Sequence, residues 1–237
     1  MTTRALRPPT FPDVTFLAPT DERVAAFLSR FRRVVAGTGH RPDKLPHRSL
    51  TTLPPLPAVV RGTPREARDP FGVYTTRGWA ALVGIAQEFL SEMGADAVVG
   101  GGALCWDQVV LEAGFRLGLP CLLAVPFETQ ASLWPEYARA IWLRHAQAAE
   151  VVVCVTPVTT LLTPTARSLR TLDSSAMRAA MTRRNDFMVA SAHAVLALHN
   201  GSPGGTANCM RSVLAARRPV ENAWARLGER YGRLSTP

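Results

Sequence analysis

The chain has 237 residues, 47% of them hydrophobic, and a mean hydropathy of +0.05, which fits one well-buried globular unit. Its 27 Lys and Arg against 18 Asp and Glu give a formal charge of +9, but Lys44 is the only lysine, so the charge is nearly all arginine in the Ala, Gly, Pro and Val background of GC-rich coding. No apolar run nears the roughly 20 residues of a membrane span, and the first ten residues lack a signal peptide's apolar core.

The four cysteines, Cys105, Cys121, Cys154 and Cys209, have neither CxxC spacing nor histidines at zinc-finger distance. They read as reduced thiols of a cytoplasmic protein, two of them in buried strands, with no metal expected.

Residues 1–30 hold Pro8, Pro9, Pro12 and Pro19 and then an amphipathic stretch, Asp21 to Phe31, that Asp21 or Thr20 can cap; they read as an arm. A strand at Val34 to Ala36 runs into Gly37-Thr38-Gly39-His40-Arg41-Pro42. From 42 to 70 the proline density predicts an extended or mobile loop, either a lid or a surface insertion.

Beyond it the alternation is regular. Helices are predicted at Thr75 to Met93, Trp106 to Leu117, Pro135 to Ala148, Ser174 to Ala192 and Thr206 to Ala216. Between them lie strands at Ala97 to Val99, Cys121 to Val125, Val151 to Val155 and Ala194 to Leu198, with an irregular segment from Pro157 to Leu172. Short apolar runs alternating with amphipathic helices imply parallel strands joined by right-handed crossovers, and Val151-Val152-Val153-Cys154-Val155 suits a strand covered on both faces. The expected fold is α/β: an open, doubly wound parallel sheet, Rossmann-like, over 31–220, with an N-terminal arm and a C-terminal segment, 221–237.

Three glycine-rich turns follow predicted strands: Gly37 to Gly39, Gly100-Gly101-Gly102-Ala103, and Asn200-Gly201-Ser202-Pro203-Gly204-Gly205. Such turns leave backbone N–H groups aimed at one point, and strand-end loops of a parallel sheet gather at its carboxyl edge, so one shared anion-binding crevice is expected. None has the Walker pattern or a convincing GxGxxG. Asp107, in the first turn of its helix, is either a ribose ligand or a charge on the helix dipole. The loop with Glu128, Gln130 and Trp134 can bond a ribose and stack on a base, although core packing also suits Trp134. In Met181-Thr182-Arg183-Arg184-Asn185-Asp186, if Met177, Met181 and Met188 mark the core side, Arg184 lies near that face and either turns toward the crevice, where a planar fork suits phosphate, or belongs to a solvated helix face.

Five motifs in order, Gly37 to Pro42, Gly101 to Ala103 with Asp107, Pro126 to Gln130 with Trp134, Arg184-Asn185, and Asn200 to Ser202 with Gly204 to Asn208, resemble the SLOG superfamily. The resemblance covers about Arg33 to Pro219 and is nearest to the small bacterial and phage proteins of the YpsA kind. It implies a Rossmann-like fold that binds nucleotides or their derivatives, in a superfamily that also holds cytokinin-activating phosphoribohydrolases, molybdenum-cofactor carriers and the DNA-processing protein DprA. The resemblance implies ligand contacts from Gly37, Thr38, Gly39, His40, Arg41, Gly101, Gly102, Ala103, Asp107, Glu128, Gln130, Arg184, Asn185, Gly204, Gly205, Thr206 and Asn208. The phosphoribohydrolases carry PGGxGTxxE and an arginine-lysine pair; here Asn185 replaces the lysine and Cys209 the glutamate that helps a ribosyl cation form.

The expected function is therefore binding of a nucleotide-like small molecule, as a sensor or carrier and in a homo-oligomer. The alternatives are N-glycosidic hydrolysis, with Arg184 on the phosphate and Glu128 or Asp107 as the carboxylate, and DprA-like DNA binding. Any nucleic-acid contact is expected to be weak and nonspecific, because the five tryptophans do not alternate with basic residues along the chain.

Overall fold

In the computed structural model the described residues are 13–45, 72–161 and 174–231. Most of the 42–70 loop, the 162–172 part of the irregular segment and both chain ends lie outside them.

Six parallel strands form one open sheet in the order β4-β3-β2-β1-β5-β6: β1 Val34–Gly39, β2 Ala97–Gly100, β3 Cys121–Val125, β4 Val151–Cys154, β5 Ala194–Leu198 and β6 Val220–Asn222. Helices α1 Glu22–Ser29, α5 Ser174–Ser191 and α6 Gly205–Ala215 pack on one face, around Val24, Phe27, Met188 and Val213. On the other face α2 Thr76–Glu92, α3 Trp106–Arg116, α4 Glu136–Ala148 and α7 Trp224–Tyr231 close over Leu82, Trp106, Trp142 and Leu227. Each fully buried Leu or Phe side chain in these layers contributes about 1.5–3 kcal/mol. Among the described residues, no helix is long and apolar enough to cross a membrane.

Local chemistry starts the helices. The Asp21 carboxylate accepts the Arg23 N–H and the Thr75 hydroxyl accepts the Gly78 N–H, which satisfies donors that a first helical turn leaves free. The stretch read as an arm is joined to the sheet: Leu17 bridges edge strand β4, with its N–H on Val152 O at 2.8 Å. The final segment supplies β6 and α7, of which Val220, Glu221 and Asn222 are too short and too exposed to announce a strand.

Strand β1 runs three residues beyond the predicted Ala36 and takes in Gly37 and Gly39. These glycines serve packing. A Cβ on Gly37 would stand 2.8 Å from Val110, one on Gly39 2.5 Å from Trp106, and one on Gly100 2.4 Å from Leu111. Helix α3 thereby presses onto β1 and β2 and is buried along most of its length.

Chain order places the site. β1 is followed by α2 on one face, and its neighbour β5 by α6 on the other, so the connections part at their carboxyl ends and leave a crevice there. To reach β5 from edge strand β4, α5 crosses behind β3, β2 and β1 and closes the crevice from below.

Candidate functional site

At that parting lies a cavity of about 430 Å³, a size that suits a small organic ligand. The end of β1 contributes Thr38, Gly39 and His40, followed by Arg41, Asp43 and Lys44 from the turn Pro42–Lys44. Gly204, Gly205 and Thr206 open α6 on the opposite side. Ala103 comes from the turn after β2, Asp107 from the first turn of α3, and Met181, Arg184 and Asn185 from the middle of α5.

Helix α6 begins without a side-chain cap, at Gly204 with φ 144°, so its first N–H groups face the cavity with the positive end of the helix dipole. Lys44 stands against this turn: its ammonium donates to Ser202 Oγ at 3.4 Å and to the Pro203 carbonyl. A Cβ on Gly205 would meet nothing within 4 Å, which leaves that backbone open to close approach.

Arg184 and Asp107 are both more than nine-tenths buried. Arg184 Nη1 donates to Asp107 Oδ2 at 2.8 Å, while Arg184 Nε is buried without a hydrogen-bond partner among the described residues. Burial pushes the Asp107 carboxyl above the usual carboxylate range, and the charge and hydrogen bond of Arg184 offset only part of that rise. Gly101 makes this pair possible, because a Cβ there would fall 1.3 Å from Arg184 Nη1 and 2.5 Å from Asp107 Oδ2.

His40 is 2% exposed, with Nε2 2.7 Å from Asn200 Oδ1 and its ring 5.0 Å from His199 and 5.8 Å from Trp224. Burial pushes its imidazole down to about 4, so it is neutral near pH 7. The Cys209 thiol is hydrogen-bonded with Thr38 and 2% exposed, and burial raises its pKa above the ordinary thiol value. It stands as a neutral group, not a nucleophile.

The cavity thus gathers Thr38, Gly39, His40, Arg41, Ala103, Asp107, Arg184, Asn185, Gly204, Gly205 and Thr206 from the sequence-based set. Gly37, Gly101 and Gly102 stand outside its lining: Gly37 faces Val110, Gly101 faces the ion pair, and Gly102 backs onto Leu123 and Trp142. Glu128 is turned away, its Oε2 accepting the Val158 N–H at 2.7 Å. Gln130 donates to the Gly101 carbonyl at 3.2 Å, and the exposed Asn208 accepts from Arg211 at 2.6 Å. Trp134 packs against the core. All three glycine turns therefore reach the cavity, the second through Ala103 alone.

Sequence reasoning passed over Lys44 and Asp43. Lys44 enters the sequence reading only as the one lysine of the charge balance; the available signal is its place just past Gly37-Thr38-Gly39-His40-Arg41-Pro42. Among the described residues, no cluster of three or more His, Cys, Asp or Glu could hold a metal ion.

No protein-family model and no curated protein sequence matches the chain. Among solved structures it is similar to DNA processing protein A from Helicobacter pylori, described for its single-stranded DNA binding mode, at 14% identity and TM-score 0.47, over 87% of this chain and 76% of that one. It is also similar to DprA from Streptococcus pneumoniae at 12% identity and TM-score 0.44, over 88% of this chain and 60% of that one.

Proposed function

We propose that this chain binds a nucleotide or nucleotide-derived ligand in the crevice between β1 and β5 and acts as a sensor or carrier. The observation that carries the reading is Arg184: a side chain about nine-tenths buried, in the cavity wall, whose Nε has no hydrogen-bond partner among the described residues. A buried donor left unpaired costs free energy that an arriving oxyanion would return. The uncapped start of α6, with Lys44 and Arg41 beside it, supports an anionic group at the same place.

Binding is favoured over N-glycosidic hydrolysis because of the carboxylates. Glu128 is committed to the Val158 N–H, Asp107 is held by Arg184, and the position resembling the family glutamate is a buried thiol at Cys209. None of these three positions keeps both the freedom and the place of a general acid or base for a leaving base, which leaves Asp43 as the other carboxylate of the lining.

The test is a thermal-shift panel of nucleoside monophosphates, diphosphates and dinucleotides beside the matching nucleosides, with native mass spectrometry of the purified protein. Phosphorylated ligands raising Tm while nucleosides do not is the expected result. Equal shifts from both would remove the phosphate from the reading.

A second reading, weak nucleic-acid contact, is favoured by the formal charge of +9. It calls for binding that a modest rise in salt abolishes.

A further inference from the structure

On the outer side of α3, between the start of α2 and the face of α4, lies a groove of about 460 Å³ that shares no lining residue with the crevice. The sequence showed no alternation of aromatic and basic residues, but three helices assemble one in space. Tyr74 and Trp79 form one wall, their ring centroids 6.0 Å apart and their planes within 22°; the half-exposed Tyr137 continues it, 4.9 Å from Tyr74. The Tyr74 ring is fixed by its hydroxyl, which donates to Gln108 Oε1 at 2.9 Å and accepts the Cys105 N–H at 3.0 Å.

Opposite this wall two guanidiniums converge on one carboxylate. Arg116 Nε donates to Glu112 Oε1 at 2.9 Å and Arg144 Nη2 to Glu112 Oε2 at 2.6 Å, with the buried His145 Nε2 3.0 Å from that same oxygen. The Glu112 side chain is 10% exposed, those of Arg116 and Arg144 46% and 59%. One negative charge is shared by two positive ones, and most of each guanidinium's five N–H donors remain for a partner in the groove. Two forks held by one carboxylate form a single anion seat, whereas a nucleic-acid strand needs a track of cations along its length.

We infer that this groove is a second ligand site, for a small molecule in which a planar aromatic ring carries one phosphate or carboxylate group. The ring lies against Tyr74 and Trp79, and the oxyanion takes the outward edges of Arg116 and Arg144.

The full chain is titrated with 1-naphthyl phosphate, read by the probe's own fluorescence anisotropy, beside 1-naphthol and inorganic phosphate as competitors. Saturable 1:1 binding is expected, with either half-molecule competing only weakly. Trp79→Ala and Arg144→Gln should each weaken binding at least about tenfold, the scale of one aromatic or one charge-assisted contact. Arg144 is exposed enough that its variant keeps the fold, which circular dichroism checks. Wild-type affinity in both variants, or equal binding of 1-naphthol, would overturn the inference. Loss of binding in Lys44→Ala would assign the probe to the crevice and overturn it as well. Capture of an oligothymidylate in place of the small probe would make the groove a macromolecular surface, and so exclude the site inferred here.

Discussion

Arg184 and Asp107, brought from the middle of α5 and the first turn of α3, form a buried ion pair at 2.8 Å in the crevice wall, and it fits only because position 101 has no side chain. Breaking such a pair from one side leaves a charge with no partner and no water, so Arg184→Met should cost about 3–5 kcal/mol. The double variant Arg184→Met with Asp107→Leu should recover most of that loss. Urea midpoints of wild type, Arg184→Met, Asp107→Leu and the double variant check this, and a double variant as unstable as Arg184→Met would mean that the cost lies in shape and not in charge.

Gly101→Ala places a methyl group on Arg184 and should lower the urea midpoint by the equivalent of about 2 kcal/mol or more, within the range for overpacking a well-filled site. Shortening the nearer obstacle with Arg184→Ala in the same chain should reduce the cost of the alanine at 101 and leave the part due to Asp107 Oδ2 at 2.5 Å. Gly205→Val meets open space, so it should leave the unliganded melting point within about 1–2 °C while abolishing the stabilisation by nucleotides.

Lys44→Ala removes the ammonium beside the turn that opens α6. Nucleotide affinity should fall about 10- to 100-fold, which corresponds to the about 1.5–3 kcal/mol of a hydrogen bond to a charged group. Calorimetric titration of wild type and variant measures it, and Lys44→Arg should restore part of the loss.

Unfolded, His40 gains a proton near pH 6.5; in the fold, burial holds that proton off until about pH 4. Between these values the unfolded chain binds more protons, so stability from His40 is complete above about pH 6.5 and is lost as the pH falls toward 4. Burial also lowers the His145 pKa, so the two histidines act in the same direction. Urea midpoints at pH 7.5 and 5 should differ less in His40→Gln than in wild type.

Hydrolysis of nucleoside 5′-monophosphates to base and ribose phosphate should be absent or slower by about 10² to 10⁴ than a general acid-base group would allow. Chromatography of long incubations checks this. Robust turnover, lost in Arg184→Ala but unaffected by substitution at Cys209, would make the protein an enzyme with a relocated carboxylate.

The parallel sheet was legible because Val151 to Val155 and Ala194 to Leu198 are apolar throughout, which only strands covered on both faces require. Arg184 was legible because helical spacing from Met188 turns it inward. What misled was the double meaning of glycine. Gly37 and Gly100 face α3 side chains, and the same letters that permit backbone approach to phosphate also permit a helix to sit on a strand. The hydrogen bond of Glu128 was not legible for a related reason: its partner, the Val158 N–H, lies past the next strand, a pairing that no local pattern encodes. Tyr74, Arg116 and Arg144 meet only through the packing of three helices, so their groove had no linear signature.

Lys44 is the one ε-amine in the whole sequence, and it stands at the mouth of the crevice. An amine-acylating reagent therefore has a single side-chain target in this molecule, which peptide mass separates from the α-amine. Its rate of reaction with the native protein reads directly whether the crevice is filled, without label, tag or substitution, and screening compounds for protection of that amine is a route to the ligand itself.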